Sequence, residues 1–211
     1  MFDKFFSDNP FWHAMGQIFD LFILNILWLV CCLPVFTIGP STTAFYYCLI
    51  NLVRGEESYV SKDFFRSFRR NFRQAVPLGL IFTAIGAFLA FDIYVCRQNT
   101  GKIYTFFLFF FAIIFLFWAA ITSYVFPLLS KFDKKSPELV IWAFMLCIRN
   151  FWRTLLMLLT VVIAAWLIHL IPGLVFIIIA LAGHFQMALF EPVIRPWLPK
   201  AGEDEVPSDE K

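Results

Sequence analysis

The chain has 211 residues, of which 61% are hydrophobic, 20% aromatic and only 15% charged, and its mean hydropathy is +0.77. A soluble domain runs about 45 to 50% apolar and about 25% charged, so this chain carries more apolar surface than one soluble core can bury, and it reads as an integral membrane protein. Six helical crossings of about 20 residues each would leave roughly 90 residues, too few for an ATP-hydrolysing module or an external sugar-binding domain.

The first ten residues hold a single lysine, and no small-residue cleavage site follows the first apolar run. That run is expected to be a permanent span, not a signal peptide. Apolar runs fall at about 18–36, 41–53, 75–95, 103–129, 154–171 and 173–190. The run at 41–53 is short and crosses only with its flanks, or else forms a re-entrant segment. Pro34, Gly39 and Pro40 stand between the first two runs, where they predict a tight hairpin or a broken helix.

After Arg54 comes a segment of different character. On a helical wheel over 61–74, Phe64, Phe65, Phe68 and Phe72 share one arc, and Lys62, Arg66, Arg69, Arg70 and Arg73 lie opposite. A phenylalanine face backed by an arginine face predicts a helix lying in the membrane interface, its charges among anionic head groups, and the same pattern suits a helix that docks on a partner. A second surface helix is expected at 137–152. Arg70-Asn71-Phe72-Arg73 leads into the span at 75, and Arg149-Asn150-Phe151-Trp152-Arg153 leads into the span at 154. A weaker echo, Asn9-Pro10-Phe11-Trp12-His13, precedes the first span. The chain thus parses as three parallel units, each a surface segment followed by two membrane helices.

Charge orients the spans. Arg54, Lys62, Arg66, Arg69, Arg70 and Arg73 fall in one connection, and Lys131, Lys134, Lys135, Arg149 and Arg153 in another, which places both in the cytoplasm by the positive-inside rule. The connections near 96–102 and 171–173 are then external. If 41–53 crosses, there are six spans and both termini are cytoplasmic; if it does not, there are five and the N-terminus is outside. Arg195 and Lys200 keep the C-terminus cytoplasmic in either case. The acidic tail at 200–211 is expected to be a disordered cytoplasmic segment.

The chemistry-bearing motifs of enzymes are missing from this sequence. It holds no His-Glu-x-x-His, no Gly-x-Ser-x-Gly and no aspartate-rich metal motif. Five cysteines, at 31, 32, 48, 96 and 147, fit no zinc or haem spacing and read as core-filling side chains. With a net charge of +2 and no basic soluble face, nucleic acid is excluded as a partner. No catalytic residue, metal site or cofactor is expected. The polar groups at membrane depth are Asn25, His184 and Gln186, which read as interhelical hydrogen-bonding residues or, alternatively, as the lining of a solute path.

Several of these segments carry a resemblance. The run 33–47, Leu-Pro-Val-Phe-Thr-Ile-Gly-Pro-Ser-Thr-Thr-Ala-Phe-Tyr-Tyr, resembles the YesL (DUF624) family, as do Asn25-Ile26-Leu27-Trp28 before it, the turn Arg54-Gly55-Glu56-Glu57, and Phe64-Phe65-x-x-Phe68-x-x-Asn71-Phe72. The resemblance implies a small polytopic membrane protein of Gram-positive bacteria, commonly encoded beside carbohydrate ABC importers and glycan-degrading enzymes, with no established activity. The expectation is therefore an all-α protein of the cell membrane with about six spans. Its expected role is that of a non-enzymatic accessory or regulatory component that contacts lipid and the permease subunits of a carbohydrate ABC importer. The alternative is a small channel or transporter whose path is lined by Asn25, His184 and Gln186.

Overall fold

A computed structural model describes residues 10–55, 59–99, 101–171, 173 and 175–197. The Asn9 end of the first surface motif and the tail at 200–211 lie outside the described residues. Among these residues the regular elements are helices, with no strand: α1 (Pro10–Cys31), α2 (Ile38–Arg54), α3 (Val60–Gln98), α4 (Lys102–Lys131), α5 (Ser136–Arg149), α6 (Phe151–Leu170) and α7 (Val175–Ile194). Four stretches are long and apolar enough to cross a membrane: Val60–Gln98, Lys102–Lys131, Phe151–Leu170 and Ile177–Trp197. Met15–Cys31 is a shorter apolar helix. The fold is thus that of an all-α, multi-pass membrane protein.

The connection between α1 and α2 differs from a simple broken helix. Of the three, only Pro34 lies in the irregular stretch 32–34; Val35–Thr37 makes a turn of 3-10 helix, and Gly39 and Pro40 sit inside the first turn of α2. Proline is tolerated there because the first amides of a helix have no intrahelical acceptor. Thr37 closes the corner: its hydroxyl lies 2.7 Å from the carbonyl oxygens of both Cys31 and Pro34 and donates to one at a time.

Gly39 has a second task. A Cβ built on it would lie 2.2 Å from the Ala75 carbonyl oxygen and 2.9 Å from the Gly79 Cα, and one built on Gly79 would lie 2.5 Å from the Gly39 Cα. The backbones of α2 and α3 therefore touch, an approach open only to residues without a side chain. From this crossing α2 runs antiparallel along the first half of α3, and Asn51 meets Asp63 at its other end. Most of α2 is buried, including Ser41, Thr43, Phe45, Leu49 and Ile50, and it packs on α1, α4 and α7 as well as α3. At 17 residues it is about 26 Å long, slightly short of the roughly 30 Å hydrocarbon core.

The amphipathic segment 61–74 and the apolar run from 75 form one uninterrupted helix of 39 residues, where the sequence suggests a surface helix and a separate span. Pro77 lies within it, so the Arg73 carbonyl loses its usual amide partner while the helix continues. The corresponding Arg149-Asn150 motif does break: Asn150 leaves helical geometry (φ −114°, ψ 47°) and divides α5 from α6. Its side chain donates to the Leu146 carbonyl at 3.1 Å, and the Thr154 hydroxyl lies 3.1 Å from the Cys147 and Asn150 carbonyls, which seals the corner. Asn71 likewise donates to the carbonyl four residues back, Ser67, at 3.1 Å, without breaking its helix. The most extensive packing is between α2 and α3, followed by α3 on α4, with α4 on α5 and α6 on α7 next.

Because the Gly39 contact is made to backbone, the added methyl of Gly39→Ala has no flexible neighbour to displace. This change is expected to cost about 1–3 kcal/mol, as overpacking does, and to lower the melting temperature in detergent by several degrees. Gly16→Ala, with nothing within 4 Å of its Cβ, should not lower it. Equal responses in a thermal-shift comparison would contradict the crossing.

Candidate functional site

Two regions bring polar or aromatic residues together: a junction where the basic ends of the helices meet, and a cavity between helix pairs. In the first half of α3 the buried positions are Val60, Phe64, Ser67, Asn71, Ala75 and Leu78, a face with helical spacing. The phenylalanine stripe is divided by this face. Phe64 is fully buried and belongs to the core, with Phe68 packed against it at a ring separation of 6.2 Å. Phe65 and Phe72 remain 44% and 36% exposed on the flanks. Arg66, Arg69, Arg70 and Arg73 are exposed, and Arg70 pairs with Asp133 beyond the end of α4.

Behind that surface, the C-terminal end of α2 is fastened by Asn51, a buried residue. Its amide nitrogen donates to the Asp63 carboxylate of α3 at 3.2 Å, and its carbonyl oxygen accepts from the Lys131 ammonium of α4 at 2.7 Å. Lys131 also stands over the Tyr47 ring, 4.6 Å from its centroid. Three helices are thus joined by one side chain with both a donor and an acceptor, a task suited to an amide. On α5, Cys147 is buried, and burial pushes its thiol up from the usual value while the Thr154 hydroxyl opposes the shift. It is therefore a poor thiolate at neutral pH.

The cavity, about 700 Å³, lies between the α3–α4 pair and the α6–α7 pair, with residues of α1 and α2 completing its wall. Aromatic rings of Trp28, Phe45, Tyr46, Phe82 and Trp118 line it, and Gly86, Ala90 and Ala164 leave the room. The three intramembrane polar residues do not converge on it. Gln186 lines the cavity, accepting from the Tyr46 hydroxyl at 3.1 Å and donating to the Met157 carbonyl at 3.3 Å. Asn25, fully buried, donates to the Val175 carbonyl at 2.9 Å, and its own oxygen has no hydrogen-bond partner. His184 is half-buried with Nδ1 enclosed and unpartnered, and neither it nor Asn25 lines the cavity.

Gly79, Tyr46, Asn51, Lys131 and Trp118 are the residues that sequence reasoning missed. A lone glycine within an apolar helical run was the available signal for Gly79. The others pair across distances along the chain that no local pattern encodes.

The family described as "Protein of unknown function, DUF624" matches residues 21–93, a stretch that includes α2 and both glycines of the crossing. The uncharacterized protein YesL of Bacillus subtilis (strain 168) is 30% identical over 149 residues, covering 69% of this chain and 70% of YesL. This chain belongs to the YesL (DUF624) family. A second member of similar likeness, the uncharacterized protein YteU of the same organism, is 28% identical over 176 residues, 81% of this chain and 78% of YteU. No solved structure matches. Membership of the DUF624 family thus agrees with the all-helical membrane architecture and assigns no activity to the cavity or the junction.

The two kinds of polar contact at the basic end should differ in weight. Asn51→Leu removes both buried hydrogen bonds of the junction and is expected to destabilise the protein by about 1–3 kcal/mol. Arg70→Ala removes an exposed ion pair and should change stability little. Thermal melts of both variants check the order, which a larger loss in Arg70→Ala would reverse.

Proposed function

We propose that this family member is a non-enzymatic accessory subunit of the cell membrane, which docks on the membrane subunits of a carbohydrate ABC importer and stabilises or regulates them. In this reading the basic end of the bundle faces the cytoplasm, as the positive-inside rule requires, and the C-terminus lies on that side. The observation that carries it is the exposed pair Phe65 and Phe72 on an arginine-rich flank of α3. Large aromatic side chains among arginines have the composition of an interface core and its rim. The surface helix α5 adds Ile141, Phe144, Met145 and Ile148, exposed at helical spacing, while its opposite face, Leu139, Ala143 and Leu146, is buried. The importer as partner rests on what the family resemblance implies.

The rival reading is a small channel or transporter, and Gln186 on the cavity wall is the observation in its favour. Solute flux through purified, reconstituted protein, abolished by Gln186→Ala, would establish the rival and overturn the accessory role.

Tagged protein solubilised in mild detergent from cells growing on the relevant glycan should bring down an importer membrane subunit. Phe65→Ala combined with Phe72→Ala should lower that recovery severalfold while leaving membrane insertion intact. Recovery of no importer subunit by the unmodified protein would defeat the proposal.

A further inference from the structure

The cavity has a chemistry of its own, independent of the docking surface. It opens where two helix pairs diverge. They touch toward the basic end, where the Tyr124 and Thr154 hydroxyls lie 2.8 Å apart. Beyond that contact the lining residues of α4 run back from Ser123 to Phe115, and those of α6 run on from Val161 to Ile168. The gap between these walls is only partly enclosed.

Its polar groups are already matched by the protein. The Trp28 indole nitrogen donates to the Thr42 hydroxyl at 3.3 Å, and Tyr46, Gln186 and the Met157 carbonyl form a chain. The Thr122 and Ser123 hydroxyls donate to carbonyls of their own helix, Trp118 at 2.7 Å and Ala119 at 2.9 Å, which uses the one donor each has and leaves a ligand only weak acceptors. The Trp118 indole nitrogen, buried without an acceptor, and the Thr83 hydroxyl on the wall are the exceptions, and the Trp118 ring lies against Gly86. A sugar or ion entering here would lose its hydration and find few replacements, and the mostly apolar wall offers few partners to ordered water, which needs two to four. An apolar ligand meets no such penalty. The volume is roughly four to five times that of the ~150 Å³ cavity that holds one benzene, and it lies within the range of about 300–1,000 Å³ usual for small-molecule sites.

We propose that this cavity binds the hydrocarbon chain of a bilayer amphiphile, which enters sideways between the α3–α4 and α6–α7 pairs and packs against Trp118, Phe82 and Phe45. Straight acyl chains and isoprenoid chains share the required chemistry, and the experiment separates them.

Full-length protein is reconstituted into vesicles containing either a phospholipid with a diazirine in its acyl chain or a diazirine-bearing polyisoprenoid lipid, then irradiated and mapped by mass spectrometry. Crosslinks concentrated on 82–90 and 161–168 in one of the two arms are the expected result, and that arm identifies the chain type. Ala90→Leu and Ala164→Leu, on opposite walls, should each weaken labelling about tenfold, the effect of displacing about two buried methylenes of ligand. The two variants guard against one failing to fold, and either that keeps its melting temperature decides the matter. Labelling spread evenly over outward residues such as Phe106 and Phe109, unchanged in the variants, would overturn the proposal. So would filling of the cavity by a second copy of the chain, seen as protein–protein crosslinks at the same residues.

Discussion

The contact on which the rest of the bundle depends is the one between Gly39 and Gly79, where α2 and α3 meet backbone to backbone. Helices gain no hydrophobic advantage from leaving lipid for one another, so van der Waals contact and interhelical hydrogen bonds must hold them together, and both strengthen as the axes approach. Two glycines at one level allow the closest approach available. Placed there, α2 has neighbours on nearly every side, which is why a 17-residue helix contributes so many fully buried side chains.

The junction and the cavity both follow from that placement. With its N-terminal end held at Gly79, the C-terminal end of α2 arrives between Asp63 and Lys131, where the Asn51 amide satisfies both. Its middle turns present Thr42, Phe45 and Tyr46 to the space between the two helix pairs, so the same helix walls the cavity. Gly183 repeats the device on α7: a Cβ there would lie 2.7 Å from the Phe45 ring and 2.8 Å from the Leu49 side chain. The outer faces keep exposed apolar side chains, and the proposed accessory role draws on those faces.

Much of the architecture is legible in the sequence because apolar length and charge placement are local properties. Lys102–Lys131, Phe151–Leu170 and Ile177–Trp197 overlap the apolar runs read from the sequence, whereas Val60–Gln98 also takes in the amphipathic segment before its run. The limits of local reasoning show in Gly39 and Pro40, which read as helix breakers. Proline in a first turn breaks nothing, and the value of a glycine depends on what crosses it. The phenylalanine stripe shows the same limit. Periodicity places Phe64, Phe65, Phe68 and Phe72 on one arc, but only a neighbouring helix decides that Phe64 enters the core while Phe65 and Phe72 stay outside. The intramembrane polar residues were recognisable as groups in need of partners. Their partners, the Val175 carbonyl for Asn25 and Tyr46 for Gln186, lie 150 and 140 residues away along the chain.

The central claim is that Gly39 and Gly79 share a single contact that seats α2, and a double-mutant cycle on the two glycines tests it most directly. Gly39→Ala, Gly79→Ala and the double variant are melted in the same detergent and their destabilisations compared. Once one methyl has pushed the helices apart, the second enters a gap already opened, so the double variant should lose clearly less than the sum of the two single losses. Strictly additive losses, or no loss in either single variant, would contradict the crossing and the placement of α2 that rests on it.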